Sequence, residues 1–212
     1  MDTQTLNGIK RVLFDFDGTL FDTQKLHAEV ESRLVLSEHG LHISPTDLSA
    51  RFAGKPTEEV FVALVGCDKK EAKRLFELKW DMLFARSREA KELANLGTLF
   101  EWFLAKDISI AIGTASVVEW PKVVLAQHGL LRYFNHRLSI IGGDMVERGK
   151  PHPDIWLYAA DDTPPATCLV VEDGVFGIEG AISANMRSCL LLPKIHPAAL
   201  AISSVDDLRS LP

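Results

Sequence analysis

The sequence predicts an α/β fold in which a parallel, doubly wound sheet carries a helical domain inserted after its first strand. Short apolar runs each end in acidic, hydroxyl or glycine residues, helical segments alternate with those runs, and one long interval holds helix after helix.

The first run, Val12-Leu13-Phe14, leads into Asp15; similar runs occupy Ile108 to Ile112, Leu138 to Ile141, Leu169 to Val171 and Cys189 to Leu192. All read as buried strands. Between them Pro153 to Ala160 and Val175 to Asn185 read as helices, the former with a proline that suits a first turn. The interval from Asp22 to about Lys91 breaks the alternation. There Leu26, Val30 and Leu34 recur at helical spacing before Gly40, Ser44-Pro45-Thr46-Asp47 has the form of a helix start, and Asp68 precedes a long charged helix holding Leu75, Leu78 and Leu83. The predicted division is therefore a core of residues 1–21 and 92–212 and a helical domain of residues 22–91. Ser203 to Pro212 reads as a short polar tail.

Composition narrows the class. With 47% apolar and 25% charged residues the chain has the ordinary globular mixture rather than a disordered or membrane one. No apolar run approaches the ~20 residues of a membrane span, and Met1 to Lys10 lacks the pattern of a signal peptide, so a soluble cytoplasmic protein is expected. Cys67, Cys168 and Cys189 lie far apart with no CxxC pair, which suggests neither a disulfide framework nor a zinc knuckle. A net charge of −6 argues against nucleic acid as a partner but leaves room for a local basic pocket holding one phosphate.

Four segments carry chemistry. In Asp15-Phe16-Asp17-Gly18-Thr19 two carboxylates follow a buried strand and precede a glycine turn. Ligands of open α/β sheets gather at the carboxyl ends of strands, so both acids are expected at the site. Their spacing lets Asp15 attack phosphorus while Asp17 exchanges a proton with the leaving or entering oxygen. After the second long run come Gly113-Thr114-Ala115-Ser116, where the Thr114 hydroxyl and the amides beyond it, from Ala115 on, can hold phosphate oxygens. Alone, such a segment is more often a turn or helix cap. Gly149-Lys150-Pro151 sets a lysine in a stiff frame, suited to neutralise both a phosphate and Asp15. Finally Leu169-Val170-Val171 ends in Glu172-Asp173-Gly174. Magnesium prefers oxygen ligands and keeps several waters, so Asp15 and Asp173 are expected as direct ligands, Glu172 as a ligand directly or through water, and Asp17 as one through its carbonyl. In the helix that follows, Gly177, Gly180, Ala181 and Ala184 are expected to allow close packing on the sheet.

These segments, Asp15 to Thr23, Gly113 to Ser116, Gly149 to Asp154 and Val170 to Gly174, resemble in order and placement the four motifs of the haloacid dehalogenase superfamily, in its members with a helical cap after the first motif. The likeness runs from Val12 to about Asn185. It implies a Rossmann-like core, a mobile helical cap, Mg²⁺, and an aspartyl-phosphate intermediate hydrolysed by water, with Asp15 as nucleophile, Asp17 as acid and base, Thr114 as phosphate binder, Lys150 as charge clamp and Asp173 as metal ligand. Gly174 stands where many relatives have Ser or Thr, and Asn95-Leu96-Gly97-Thr98 replaces a commoner Pro-Gly entry into the core. The second aspartate, Asp17, disfavours carbon-halogen and phosphonate cleavage.

The segment Arg51 to Glu58 resembles the specificity loop of the cap, with Arg51 or Lys55 placed to touch a polar or anionic group of the substrate; His27 and His152 are read as structural. The expected activity is hydrolysis of a small phosphorylated metabolite, first of all a sugar phosphate. The β-phosphoglucomutases share cap and site, but the arginine with which they grip a distal phosphate falls here at Thr57. A signalling receiver would place its accepting aspartate after the third strand, and a silent binding protein would be expected to have lost part of the acidic set. A cap that opens and closes is compatible with a monomer.

Overall fold

The structure, a computed structural model, describes residues 6–52 and 56–211. Along the chain run β1 (Arg11–Phe14), β2 (Phe21–Asp22), α1 (Gln24–His39), α2 (Pro45–Phe52), α3 (Thr57–Val65), α4 (Lys69–Ala85) and β3 (Lys91–Glu92). They are followed by α5 (Leu96–Ala105), β4 (Ser109–Gly113), α6 (Glu119–Gln127), β5 (Ile140–Ile141), α7 (Asp154–Ala160), β6 (Cys168–Glu172), α8 (Val175–Ser183), β7 (Arg187–Leu191) and β8 (Leu200–Ile202). Two compact units result, Met1–Asp22 with Lys91–Pro212, and Thr23–Ala90.

The first unit is a Rossmann-like α/β layer structure. Its sheet has the order β5-β4-β1-β6-β7-β8, and every pairing in it is parallel. Parallel strands need crossovers, and the crossovers cover both faces, which is why the strands are apolar at consecutive positions. Leu13 shows one face: it packs with Ala111, Ile155, Trp156, Val170 and Ala181, so α7 and α8 lie on that side. Phe14 shows the other, its ring 5.9 Å from Phe100 and 6.0 Å from Phe103 of α5. The order reverses at β1, since β4 and β5 build outward on one side and β6 to β8 on the other. That switch point opens a crevice at the carboxyl ends of β1, β4 and β6.

Local chemistry sets the ends of these elements. Asn95 caps α5, its Oδ1 accepting from the Thr98 amide at 3.2 Å, so the asparagine starts the helix without a Pro-Gly turn. The chain after β7 is more ordered than a polar tail: β8 adds an edge strand, and Val205 and Leu208 are buried in a 3₁₀ turn over Val205–Ser210 that Ser204 caps. Two apolar residues three apart are enough to dock one turn, but they are too few to stand out as a period.

Among the described residues, the regular elements of the second unit are all helices. Gly40 ends α1 in the left-handed conformation at φ 66°. Ser44 and Asp47 close the start of α2, the serine Oγ accepting from the Asp47 amide at 3.0 Å and donating to its carboxylate at 2.6 Å. Asp68 accepts from the Glu71 amide at 2.8 Å ahead of α4. Leu34, Val35, Leu48, Val60, Phe61 and Leu75 form the core of this unit. A buried ion pair is built into it: Lys79 Nζ lies 2.6 Å from Glu31 Oε1 and donates to Thr57 Oγ1 at 2.7 Å. No helix among the described residues is long and apolar enough to cross a membrane.

Candidate active site

Asp15 leaves β1 with its backbone still in the sheet, its amide donating to Val171 O at 2.9 Å. Its side chain is 9% exposed. Gly18, at φ 90°, then turns the chain so that its amide reaches Phe21 O at 2.7 Å, a conformation that favours glycine. From the turn before α7, Lys150 reaches the same point, with its side chain 6% exposed, and donates at 2.6 Å both to Asp15 Oδ1 and to Glu172 Oε1. Its ammonium also lies 4.3 Å from the centre of the Trp156 ring. The expected stiff lysine is thus fixed on three sides.

Glu172 ends β6 and is held in turn: its Oε2 accepts from the Gly174 amide at 2.6 Å. A Cβ at Gly177 would overlap this carboxylate, so the first turn of α8 is hollowed for it. Asp15, Glu172 and Asp173 offer carboxylate oxygens within 4.8 Å of one another. Lys150 bonds two of these carboxylates and Lys194 lies 3.2 Å from the third, and the all-oxygen donor set fits a hard divalent cation such as Mg²⁺. Burial, the largest influence, pushes the Asp15 carboxyl well above the usual range; Glu172, Asp173 and Asp17 push the same way and Lys150 opposes them. Burial pulls Lys150 down, but Asp15 and Glu172 outweigh it and hold the ammonium above its ordinary value. It stays charged.

Asp17 takes a different direction. Its Oδ1 accepts from Trp120 Nε1 at 2.9 Å and its Oδ2 from Ser116 Oγ at 2.6 Å, with Thr114 Oγ1 at 3.4 Å. Its carboxylate is thus absent from the acidic cluster and is bound by the connection after β4 and by the first turn of α6. Thr114, 1% exposed, also accepts from the Ser116 amide at 3.1 Å, and Ala115 is exposed beside it.

Of the residues expected at a site, Asp15, Lys150, Glu172 and Asp173 come together at strand ends, and Asp17 and Thr114 adjoin each other. Arg51 lies on the exposed last turn of α2 with its guanidinium 5.1 Å from the Phe52 ring centre, while Gly54 and Lys55 fall outside the described residues. His152 is exposed and His27 meets the Trp80 ring edge-on at 5.7 Å. Sequence reasoning gave no role to Ser116, Trp120 or Lys194, whose ammonium is 3.2 Å from Asp173 Oδ2. A hydroxyl two residues past Thr114 was a usable signal for Ser116; nothing local marked Trp120 or Lys194. Gly177, read as packing alone, also makes room for Glu172.

Comparison with known proteins adds a lineage to this geometry. Residues 9–185 match the family model described as a haloacid dehalogenase-like hydrolase. The phosphorylated carbohydrates phosphatase of Thermotoga maritima is 31% identical over 84% of this chain and 83% of its own. The fructose-1-phosphate phosphatase YqaB of Escherichia coli (strain K12) is 29% identical over 82% of this chain and 92% of its own. In structure, a hydrolase of family IA, variant 3, from Entamoeba histolytica superposes with a TM-score of 0.84 at 24% identity, covering 94% of this chain and 95% of that one, which speaks to the fold. The chain belongs to the haloacid dehalogenase-like hydrolase family, and is an enzyme of the hydrolase class with phosphatases among its relatives.

Proposed function

We propose that this protein is a Mg²⁺-dependent phosphatase that hydrolyses a small phosphorylated metabolite, a sugar phosphate first of all, through an aspartyl-phosphate on Asp15. The observation that carries this reading is Lys150 bound at 2.6 Å to both Asp15 and Glu172, beside Asp173. A buried nucleophile, a fixed positive charge and a set of oxygen donors converge at one switch point.

Asp15, Asp173 and Glu172 would hold Mg²⁺, which supplies charge neutralisation for the phosphoryl oxygens. Lys150 spreads positive charge over the same oxygens and keeps Asp15 oriented, so nucleophile and phosphate can approach although both are anionic. The Thr114 hydroxyl and the amides beyond it, from Ala115 on, bind phosphoryl oxygens. Asp15 forms a bond to phosphorus as the bond from phosphorus to the substrate oxygen breaks, and Asp17 gives that oxygen its proton. Water then attacks the phosphorus, its proton passes to Asp17, and the Asp15 carboxylate is regenerated.

Relatives that act on phosphorylated carbohydrates support the substrate class. The helical unit is assigned the role of a cap that selects the substrate, with Arg51 and Lys55 as candidate contacts. Thr57, placed where a mutase would grip a second phosphate, is bonded to Lys79 and carries no charge, which favours hydrolysis over sugar phosphomutase activity. The test is phosphate release from sugar phosphates, nucleotides and an aryl phosphate, with Mg²⁺ or EDTA, for the native protein and Asp15→Asn. Release that needs Mg²⁺ and vanishes in the variant is expected. Conversion of a sugar 1-phosphate to its 6-phosphate faster than phosphate release would favour the mutase, and no turnover by a folded protein would favour a binding role.

A further inference from the structure

Both carboxylate oxygens of Asp17 accept from donors that follow β4, one in the connection to α6 and one in the first turn of that helix. Trp120 Nε1 serves Oδ1 at 2.9 Å and Ser116 Oγ serves Oδ2 at 2.6 Å. Trp120 is the second residue of α6 and 0% exposed. An indole buried so completely usually places its N–H on an acceptor, and here the acceptor is the side chain expected to move the proton. Two donors on two oxygens fix the plane of a carboxyl group, because turning it about its Cβ–Cγ bond breaks both. Ser116 is itself anchored, its amide donating to Thr114 Oγ1 at 3.1 Å.

We propose that Trp120 is a positioning residue for Asp17: its indole N–H, with the Ser116 hydroxyl, sets the orientation from which Asp17 protonates the departing oxygen. Cleavage of substrates with poor leaving groups therefore depends on it. The inference rests on the phosphatase reading above. An alkoxide leaving a sugar phosphate needs its proton as the phosphorus-oxygen bond breaks, whereas a nitrophenolate departs without one. A role in proton delivery is thus visible as a dependence on the leaving group, which loss of packing would not produce.

The experiment compares kcat/KM, which reports the steps through formation of the phosphoenzyme, for a sugar phosphate and for 4-nitrophenyl phosphate. Trp120→Phe keeps most of the ring and removes the N–H, and Ser116→Ala removes the hydroxyl alone. For Trp120→Phe a fall of about 10-fold or more is expected with the sugar phosphate and less than about 3-fold with the aryl phosphate. Ser116→Ala should show the same pattern in milder form, and it decides the matter if Trp120→Phe does not fold. Equal losses on both substrates, or none on either, overturn the proposal while leaving the phosphatase reading in place. A native protein that releases phosphate from no substrate overturns both. Independently of turnover, one of the four tryptophan indole N–H resonances, the one Trp120→Phe deletes, must shift in Asp17→Asn, and an unmoved resonance overturns the pairing.

Discussion

Gly177 leaves vacant the volume that the Glu172 carboxylate occupies, since a Cβ there would overlap that group. A glycine inside a helix ordinarily costs about 0.5–1 kcal/mol relative to alanine, so its retention here is tied to the carboxylate. Gly177→Ala is expected to keep the fold and to push Glu172 away from Lys150 and the acidic cluster. The Mg²⁺ concentration for half-maximal activity should rise by about 10-fold, the scale on which groups supporting a metal site act. A Mg²⁺ titration of activity alongside circular dichroism checks this. An unchanged Mg²⁺ requirement would show that Glu172 is not part of the metal site.

Lys150 is the charge that lets Asp15 and Glu172 lie side by side. Lys150→Ala is expected to lower kcat by about 10²–10³-fold, as loss of a donor aimed at developing charge does. It also leaves two buried carboxylates without their shared partner, so the melting temperature in EDTA should fall, and Mg²⁺ should restore more of it than in the native protein. Lys150→Arg should not recover activity, because a longer planar fork does not place one donor atom 2.6 Å from both Asp15 Oδ1 and Glu172 Oε1 as the single ammonium does. Full activity in Lys150→Arg would sink this account.

The placement of Asp15, Thr114, Glu172 and Asp173 was legible in the sequence because each follows a run of apolar residues buried on both faces, and a doubly wound sheet brings such run ends together. Lys150 was legible from its stiff frame between Gly149 and Pro151. The pairing of Trp120 with Asp17 was not, because it depends on how α6 is turned against the chain beyond β1, and tryptophan at the start of a helix reads equally well as core. Lys194 was invisible for a related reason: it comes after β7, outside every recognised segment, and reaches Asp173 only through the sheet's order. Strand β8 was missed because Leu200-Ala201-Ile202 is too short to show a period against its surroundings.

The pair of Lys79 and Glu31 makes the helical unit sensitive to charge. With side chains 4% and 10% exposed, neither group can turn to solvent when its partner is removed. Lys79→Met is expected to cost about 3–5 kcal/mol, the scale for breaking a buried pair. Thr57→Ala should cost only about 1 kcal/mol, since it removes one hydrogen bond and leaves the ion pair. Urea unfolding followed by far-ultraviolet circular dichroism measures both. A Lys79→Met variant as stable as the native protein would mean that this pair is not held as described.

The thiols predict how stability falls in alkali. Burial pushes Cys189 up to about 12 and Cys168 up to about 11, against an ordinary value of 9.0. In the native state each keeps its proton where the unfolded chain would release it, so between roughly pH 9 and these values the unfolded state binds fewer protons and stability drops as pH rises. Below pH 9 both states are protonated and the contribution is flat. Each thiol should remove up to about 1.4 kcal/mol per pH unit within its window. The urea midpoint of the native protein should therefore fall more steeply above pH 9 than that of a Cys168→Ala, Cys189→Ala variant. At pH 8 a thiol reagent should meet Cys67 first, because it is partly exposed while the other two are buried. Fast labelling of Cys189 in folded protein, or parallel alkaline curves for the two proteins, would contradict the burial from which both expectations come.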